Sequence, residues 1–214
     1  MSTMTIPAEL FLLLTNDAGR QDATQFRKPA LAAAAVVELT LREKVAIGTE
    51  RNPKVTVTDA SAPEIPELDQ ALRAIIVLDG KRLKSVISHR SMDLTEVLGD
   101  GLAAAGAVER KDGWILTSWP VKDPALETAL RSRLAAAIAD PSRASLQDAI
   151  LLELLSAMKI AHLLLREETG GMRRRELDRV VKGLAVDHPA APALRRILDE
   201  MNTAIATQAA MMAN

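Results

Sequence analysis

The sequence predicts a mainly α-helical fold: a single helical domain with two small β-hairpins. Three observations predict it. Alanine and leucine dominate, aromatics make up 2% of the chain and tyrosine is absent, a composition suited to close helix packing. Apolar residues recur at three- and four-residue intervals over most of the length. In two short places the period falls to two around a turn.

The elements follow in order. Residues 7 to 14 read as a helix opened by Pro7 and stopped near "NDAGR". Residues 29 to 43 are apolar almost all round, the signature of a central helix. Val45 and Ile47, then Val55 and Val57, alternate with polar residues about "ERNP", which predicts a first hairpin. "PELDQALRAIIVLDGKRLKSVISHRSM" continues as helix with a break near Asp79-Gly80. Leu94, Val97, Leu98, Leu102 and Ala105 share a helix face, and Gly106 supplies the stop. "AVERKDGWILTSW" then predicts a second hairpin about Lys111-Asp112-Gly113. Leu126, Leu130, Leu134 and Ile138 line one side of the next helix. "SLQDAILLELLSAMKIAHLLL" reads as one long buried helix capped by Ser145, and two amphipathic helices close the chain.

The totals exclude several classes. With 214 residues, 48% apolar, 26% charged and a net charge of −1, the chain has the balance of a folded globular protein, and nucleic acid is not an expected partner. No cysteine is present, which removes disulfides, thiolate metal sites and cysteine nucleophiles and fits a cytoplasmic location. The N-terminal stretch lacks a basic region and carries Glu9 within its apolar run, so it does not read as a signal peptide. No apolar run approaches the roughly 18 residues of a membrane span. The expected organisation is a flexible N-terminus over residues 1–6 and one domain over 7–214.

No chemistry-bearing motif stands out. His89, His162 and His188 are far apart, none at metal-ligand spacing, and His162 reads as a core histidine. No P-loop, dinucleotide fingerprint, nucleophile elbow or zinc-protease motif occurs. The expectation is a protein without catalytic residues, metal or cofactor. Basic clusters occur at Arg27 and Lys28, at Lys81, Arg82 and Lys84, at His89 and Arg90, and along Arg173, Arg174, Arg175, Arg179 and Lys182. The last reads as a solvated helix face with local Glu176 and Asp178 partners. Both tryptophans, Trp114 and Trp119, fall at the second hairpin, where such rings either anchor a core or meet a docking partner.

Two blocks carry a family resemblance. "AELFLLLTNDAGR" places Glu9, Leu12, Leu13, Leu14, Asp17, Gly19 and Arg20 on the leucine-rich opening segment of the Golgi phosphoprotein 3 family. "ALAAAAVVELTLREKVAI" places Glu38, Leu39, Leu41, Arg42 and Ile47 on its small-residue helix, with Lys44 where arginine is usual. "DLTEVLGDGLAAAGAVERKDG" and "WPVKDPALETALRSRL" resemble later segments in the same order. The alanine-rich makeup suggests a bacterial, actinobacterial relative.

The resemblance implies a mainly helical, cytoplasmic protein that binds membranes peripherally, at the inner face. Eukaryotic members read phosphatidylinositol 4-phosphate, tether the cytosolic tails of membrane enzymes, and use an apolar hairpin for insertion and self-association. By that likeness, Trp114, Ile115, Leu116 and Trp119 lie on or beside a hairpin that faces a membrane or a second copy; the alternative is a hairpin that folds Trp114 and Ile115 onto the helices. The family's headgroup positions fall at Ala23, Ala32, Met92 and Thr95, none of which supplies arginine's forked donors. The nearby Arg27, Lys28, His89 and Arg90 are expected to form a less specific patch for anionic lipids. Two other readings stand beside this one. One is a soluble, oligomerising interaction module. The other is a winged-helix-like nucleic-acid binder, suggested by the helix-hairpin unit and weakened by Glu109 and Asp112 within the hairpin.

Overall fold

A computed structural model describes residues 4–16, 24–114, 117–184 and 190–212. Ten α-helices and two two-stranded antiparallel sheets occur among them, in the mainly α arrangement that the sequence predicts.

Helix α1 (Ile6–Leu13) is buried along its whole length. Its apolar residues have no polar stripe between them, which suits a helix enclosed on every side. The helix starts earlier than expected: Thr5 caps it, its Oγ1 accepting from the Ala8 amide at 3.3 Å, and both Thr5 and Ile6 are buried. Helix α2 (Thr24–Leu41) lies against α1, and its stretch from Ala30 to Val37 is buried at every position. Small side chains there let neighbouring helices approach closely. The Glu38 carboxylate accepts from the Ile6 amide at 3.0 Å, so α2 satisfies a free N–H at the start of α1.

Glu43 ends α2 in the left-handed region at φ 58°, and Lys44 N–H reaches back to the Leu39 carbonyl at 2.9 Å. Strands β1 (Val45–Ile47) and β2 (Val55–Val57) then pair as expected, Val45 opposite Val57. The predicted 66–92 helix is three pieces: α3 (Pro66–Val77), α4 (Leu83–Ile87) and a 3-10 turn (Arg90–Met92). Gly80, at φ 72°, makes the anticipated break.

Helix α5 (Thr95–Ala104) stops at Gly106, φ 78°, with Ala107 N–H bonded to the Leu102 carbonyl at 2.9 Å. The second hairpin differs from expectation in register. Strand β3 (Lys111–Asp112) pairs with β4 (Thr117–Ser118), Asp112 opposite Thr117, so Lys111 and Asp112 belong to the ladder and not to the turn. Both residues of β3 are exposed, so no apolar alternation marks the ladder.

Helices α6 (Pro124–Ala139), α7 (Leu146–Ala157), α8 (Ala161–Leu164), α9 (Arg174–Gly183) and α10 (Ala191–Met212) complete the body. Ser145 and Asp148 form a reciprocal capping box on α7. The long buried helix expected here is broken in two. Lys159 turns left-handed at φ 63°, and the chain re-enters so that Ala161 and Leu165 are buried. The run is apolar on all sides and holds no glycine or proline, so its periodicity gives no sign of the break.

Glu153 on α7 illustrates a cost of this packing. Desolvation pushes its carboxyl above the usual range, partly offset by Arg195 on α10. A raised folded-state pKa means the ionised form is disfavoured in the fold. Glu153→Gln is therefore expected to stabilise the protein at neutral pH. The gain should vanish below about pH 4, where carboxyls of ordinary pKa are protonated with or without folding. Urea melts at the two pH values check it.

Candidate functional site

A cavity of about 530 Å³ opens between the first half of α2, α4 with its following turn, and the last turns of α10. Lys28 enters from α2, Lys84 from α4, His89 and Arg90 from the turn, and Thr207 from α10. Ile87, Met92 and Ala204 are buried and give the cavity an apolar floor.

The polar groups differ in how committed they are. Lys28 Nζ sits 2.5 Å from Asp93 Oδ2. Asp93 also accepts from the Thr95 hydroxyl at 2.7 Å and the Thr95 amide at 3.2 Å. Desolvation pushes the Asp93 carboxyl up, but these bonds from Lys28 and Thr95 outweigh it and hold the carboxyl below its usual range. Lys84 Nζ donates to Thr207 Oγ1 at 3.0 Å and has no carboxylate partner among the described residues. Arg90 is exposed and likewise has none. His89 Nδ1 accepts from the Ser91 amide at 3.3 Å and lies 2.7 Å from the Ser91 hydroxyl. That acceptor role leaves the ring's Nε2 as the hydrogen-bearing atom of the neutral form. One carboxylate against Lys28, Lys84 and Arg90 leaves the cavity cationic.

The structure thus brings Lys28, His89 and Arg90 to one cavity and adds Lys84. Arg27 lies apart from its lining. It is half-buried, and its Nε is enclosed without a partner. Burial lowers its pKa, and attraction from Asp93 opposes the shift. Of the carried-over headgroup positions, Ala32 is in the core, Met92 is on the cavity floor and Thr95 is tied to Asp93. Ala23 lies outside the described residues.

The two tryptophans part company. Trp114 is 103% exposed at the hairpin turn. Trp119 is 4% exposed, so at its place beside the hairpin turn its ring packs inward. Its ring meets Phe11 edge-on, centroids 5.7 Å apart. It also lies flat on Gly99 of α5, where an added Cβ would fall 2.2 Å from Trp119 Cε2. Glycine at 99 is what admits the indole. Ile115 and Leu116 lie outside the described residues. The hairpin's cations are engaged locally: Arg110 forks onto Asp100 at 2.6 and 2.7 Å and reaches Asp112 at 2.9 Å. That arrangement does not favour a phosphate backbone as ligand.

Away from the cavity, the sequence reading missed an ionic cluster in which buried Glu9 and Asp148 meet the partly exposed Arg133. Glu9 of α1 receives both terminal nitrogens of Arg133, at 2.9 and 2.7 Å, and Gln147 Nε2 at 2.7 Å. Arg133 Nε donates to Asp148 at 2.6 Å. The capping pair Ser145 and Asp148 was the one visible signal. His162 is half-buried with an enclosed, unpartnered Nδ1, and His188 lies outside the described residues. Among the described residues no three histidine or acidic side chains gather in a metal-binding group, and no helix is long and apolar enough to cross a membrane.

The Golgi phosphoprotein 3 (GPP34) family model matches residues 6–201. No curated protein matches the chain.

Proposed function

The chain belongs to the Golgi phosphoprotein 3 family, and from that premise we propose that it is a non-enzymatic, peripheral membrane-binding adaptor whose cationic cavity docks on anionic lipid headgroups. The observation that carries the reading is the pairing state of the cavity: Lys84 and Arg90 face it without carboxylate partners. The exposed Trp114 ring supports it, since an indole at a hairpin turn suits the boundary between headgroups and acyl chains. In this reading the protein works at the cytoplasmic face of a membrane, self-associates through the second hairpin and holds tails of membrane enzymes there. Phosphatidylinositol 4-phosphate acts as extra negative charge and not as a selected ligand, because Ala32, Met92 and Thr95 offer no guanidinium.

Vesicle sedimentation tests this. Wild type should sediment with vesicles rich in phosphatidylglycerol or cardiolipin and not with neutral ones. Binding should weaken with salt, since exposed charges are screened over a Debye length of about 8 Å at physiological ionic strength. Each basic side chain near an anionic surface is worth about 1 kcal/mol, so Lys84→Gln with Arg90→Gln should cost about thirtyfold in affinity. Arg27 is a poor probe, because a glutamate there would be half-buried close to Asp93. Equal sedimentation with neutral vesicles, or an unaffected double variant, rejects the proposal.

A further inference from the structure

The cavity does not end at Lys84. A second one, of about 360 Å³, opens beyond Lys84 and Ser85, which line both. Asn52 from the first hairpin's turn, Arg82, and Glu200 and Thr203 of α10 enclose it. Glu200 and Thr203 line this lobe, Ala204 and Thr207 the first, and all four share one helical face. Helix α10 is therefore the common wall of a two-lobed groove with Lys84 at its waist. Of these four residues, Ala204 and Thr207 fall beyond the family match, which stops at 201, as does Thr203.

The lobes differ chemically. The first is cationic over an apolar floor. In the second, Arg82 and Glu200 line one cavity without an ion pair joining them among the described residues, so both keep their hydrogen-bonding capacity. Asn52 adds an amide that donates and accepts, and Thr203 adds a hydroxyl oxygen that accepts, its proton being given to the Asp199 carbonyl at 2.9 Å. A second phosphate entering this lobe would meet the Glu200 carboxylate. An ammonium would meet Arg82 and Lys84. Uncharged hydroxyl groups, each donor and acceptor at once, satisfy the mixed set without like-charge contact.

Resting on the anionic-lipid reading, we propose that the second lobe is a subsite for the hydroxyl-bearing end of a phosphodiester headgroup. The phosphate sits at Lys84 and the polyol lies among Asn52, Glu200 and Thr203. The groove then prefers a headgroup ending in a polyol over one of equal charge ending in an alkyl group, which would leave these polar side chains unpaired.

The test uses the full chain and two sets of vesicles matched in charge, one containing phosphatidylglycerol and one phosphatidylethanol, both in phosphatidylcholine. Wild type should favour phosphatidylglycerol severalfold. Asn52→Ala and Thr203→Ala leave the net charge unchanged. Each should lower phosphatidylglycerol binding toward the phosphatidylethanol level and leave the latter as it was, with unchanged thermal melts. Water-soluble glycerophosphoglycerol should compete with phosphatidylglycerol vesicles, and glycerophosphoethanol should not. Equal binding of the two vesicle types, or a preference that both variants retain, overturns the subsite. Failure of wild type to sediment with either anionic vesicle overturns the membrane reading beneath it. Binding of glycerophosphoglycerol without any vesicle binding assigns the groove to a soluble polyol phosphate and overturns the lipid source.

Discussion

Arg133→Ala should destabilise the protein by about 1–3 kcal/mol, the cost of leaving buried Glu9 short of its charged donors, and less than for a fully buried pair because Arg133 is 40% exposed and solvent screens it. Glu9 is 2% exposed, and both its oxygens are met by the Arg133 fork. Hydrogen bonding to Glu9, helped by the two carboxylates' charge, outweighs burial and raises the already high pKa of the guanidinium. A cation with a raised folded-state pKa contributes its stability at every pH below its ordinary value, so this contribution does not titrate in the working range. In Arg133→Ala, Glu9 keeps one neutral partner, Gln147. Asp148 is better placed, because it remains bonded to Ser145. Replacing both members, Glu9→Met with Arg133→Met, should restore most of the loss, because an apolar pair of similar volume removes the uncompensated charge. Urea denaturation measures both. A loss below about 1 kcal/mol for Arg133→Ala would place the pair in the class of exposed ion pairs.

Trp119→Ala and Trp114→Ala should give opposite results despite lying five residues apart. Removing Trp119 empties the space between Phe11 and Gly99 and should cost about 3–5 kcal/mol. Trp119→Phe should cost much less. It keeps most of the ring and deletes an indole N–H that is buried without a partner, a group whose burial alone is worth about 1–3 kcal/mol against the fold. Gly99→Ala should cost about 1–3 kcal/mol from the other side of the same contact, by overpacking. Trp114→Ala touches no packed surface, so stability should change by less than about 0.5 kcal/mol. Its effect should appear as weaker vesicle binding and weaker self-association in sedimentation velocity. Equal losses of stability in the two variants would contradict the burial difference.

These cases show what was legible in the sequence. Most helices were, because their apolar periodicity is local, but the break between α7 and α8 at Lys159 was not. The first hairpin was, because Val45 and Val55 point inward from alternating strands. The second hairpin's register was not, since its paired residues are largely solvated. Trp119 could not be separated from Trp114, because the feature that buries it is a missing side chain at Gly99, which only the fold brings alongside. The groove was legible on one wall. Lys28, His89 and Arg90 were anticipated, and Lys84 was noted in a basic cluster of its own. Thr207, which bonds Lys84, is 123 residues away, and no local pattern connects the two. The Glu9 cluster was hidden the same way, apart from the serine and aspartate that cap α7.

The enclosure of α1 has a consequence for synthesis of the chain. The helix leaves the ribosome before α6 and α7, and Arg133, which neutralises Glu9, follows it by 124 residues. At roughly 5–20 residues per second, that interval lasts on the order of ten seconds. Throughout it Phe11, Leu12 and Leu13, all destined for the interior, have neither α6 nor α7 to cover them. The nascent α1 segment is thus a sticky apolar stretch bearing one unneutralised carboxylate, and its solubility over that period depends on Glu9 staying hydrated.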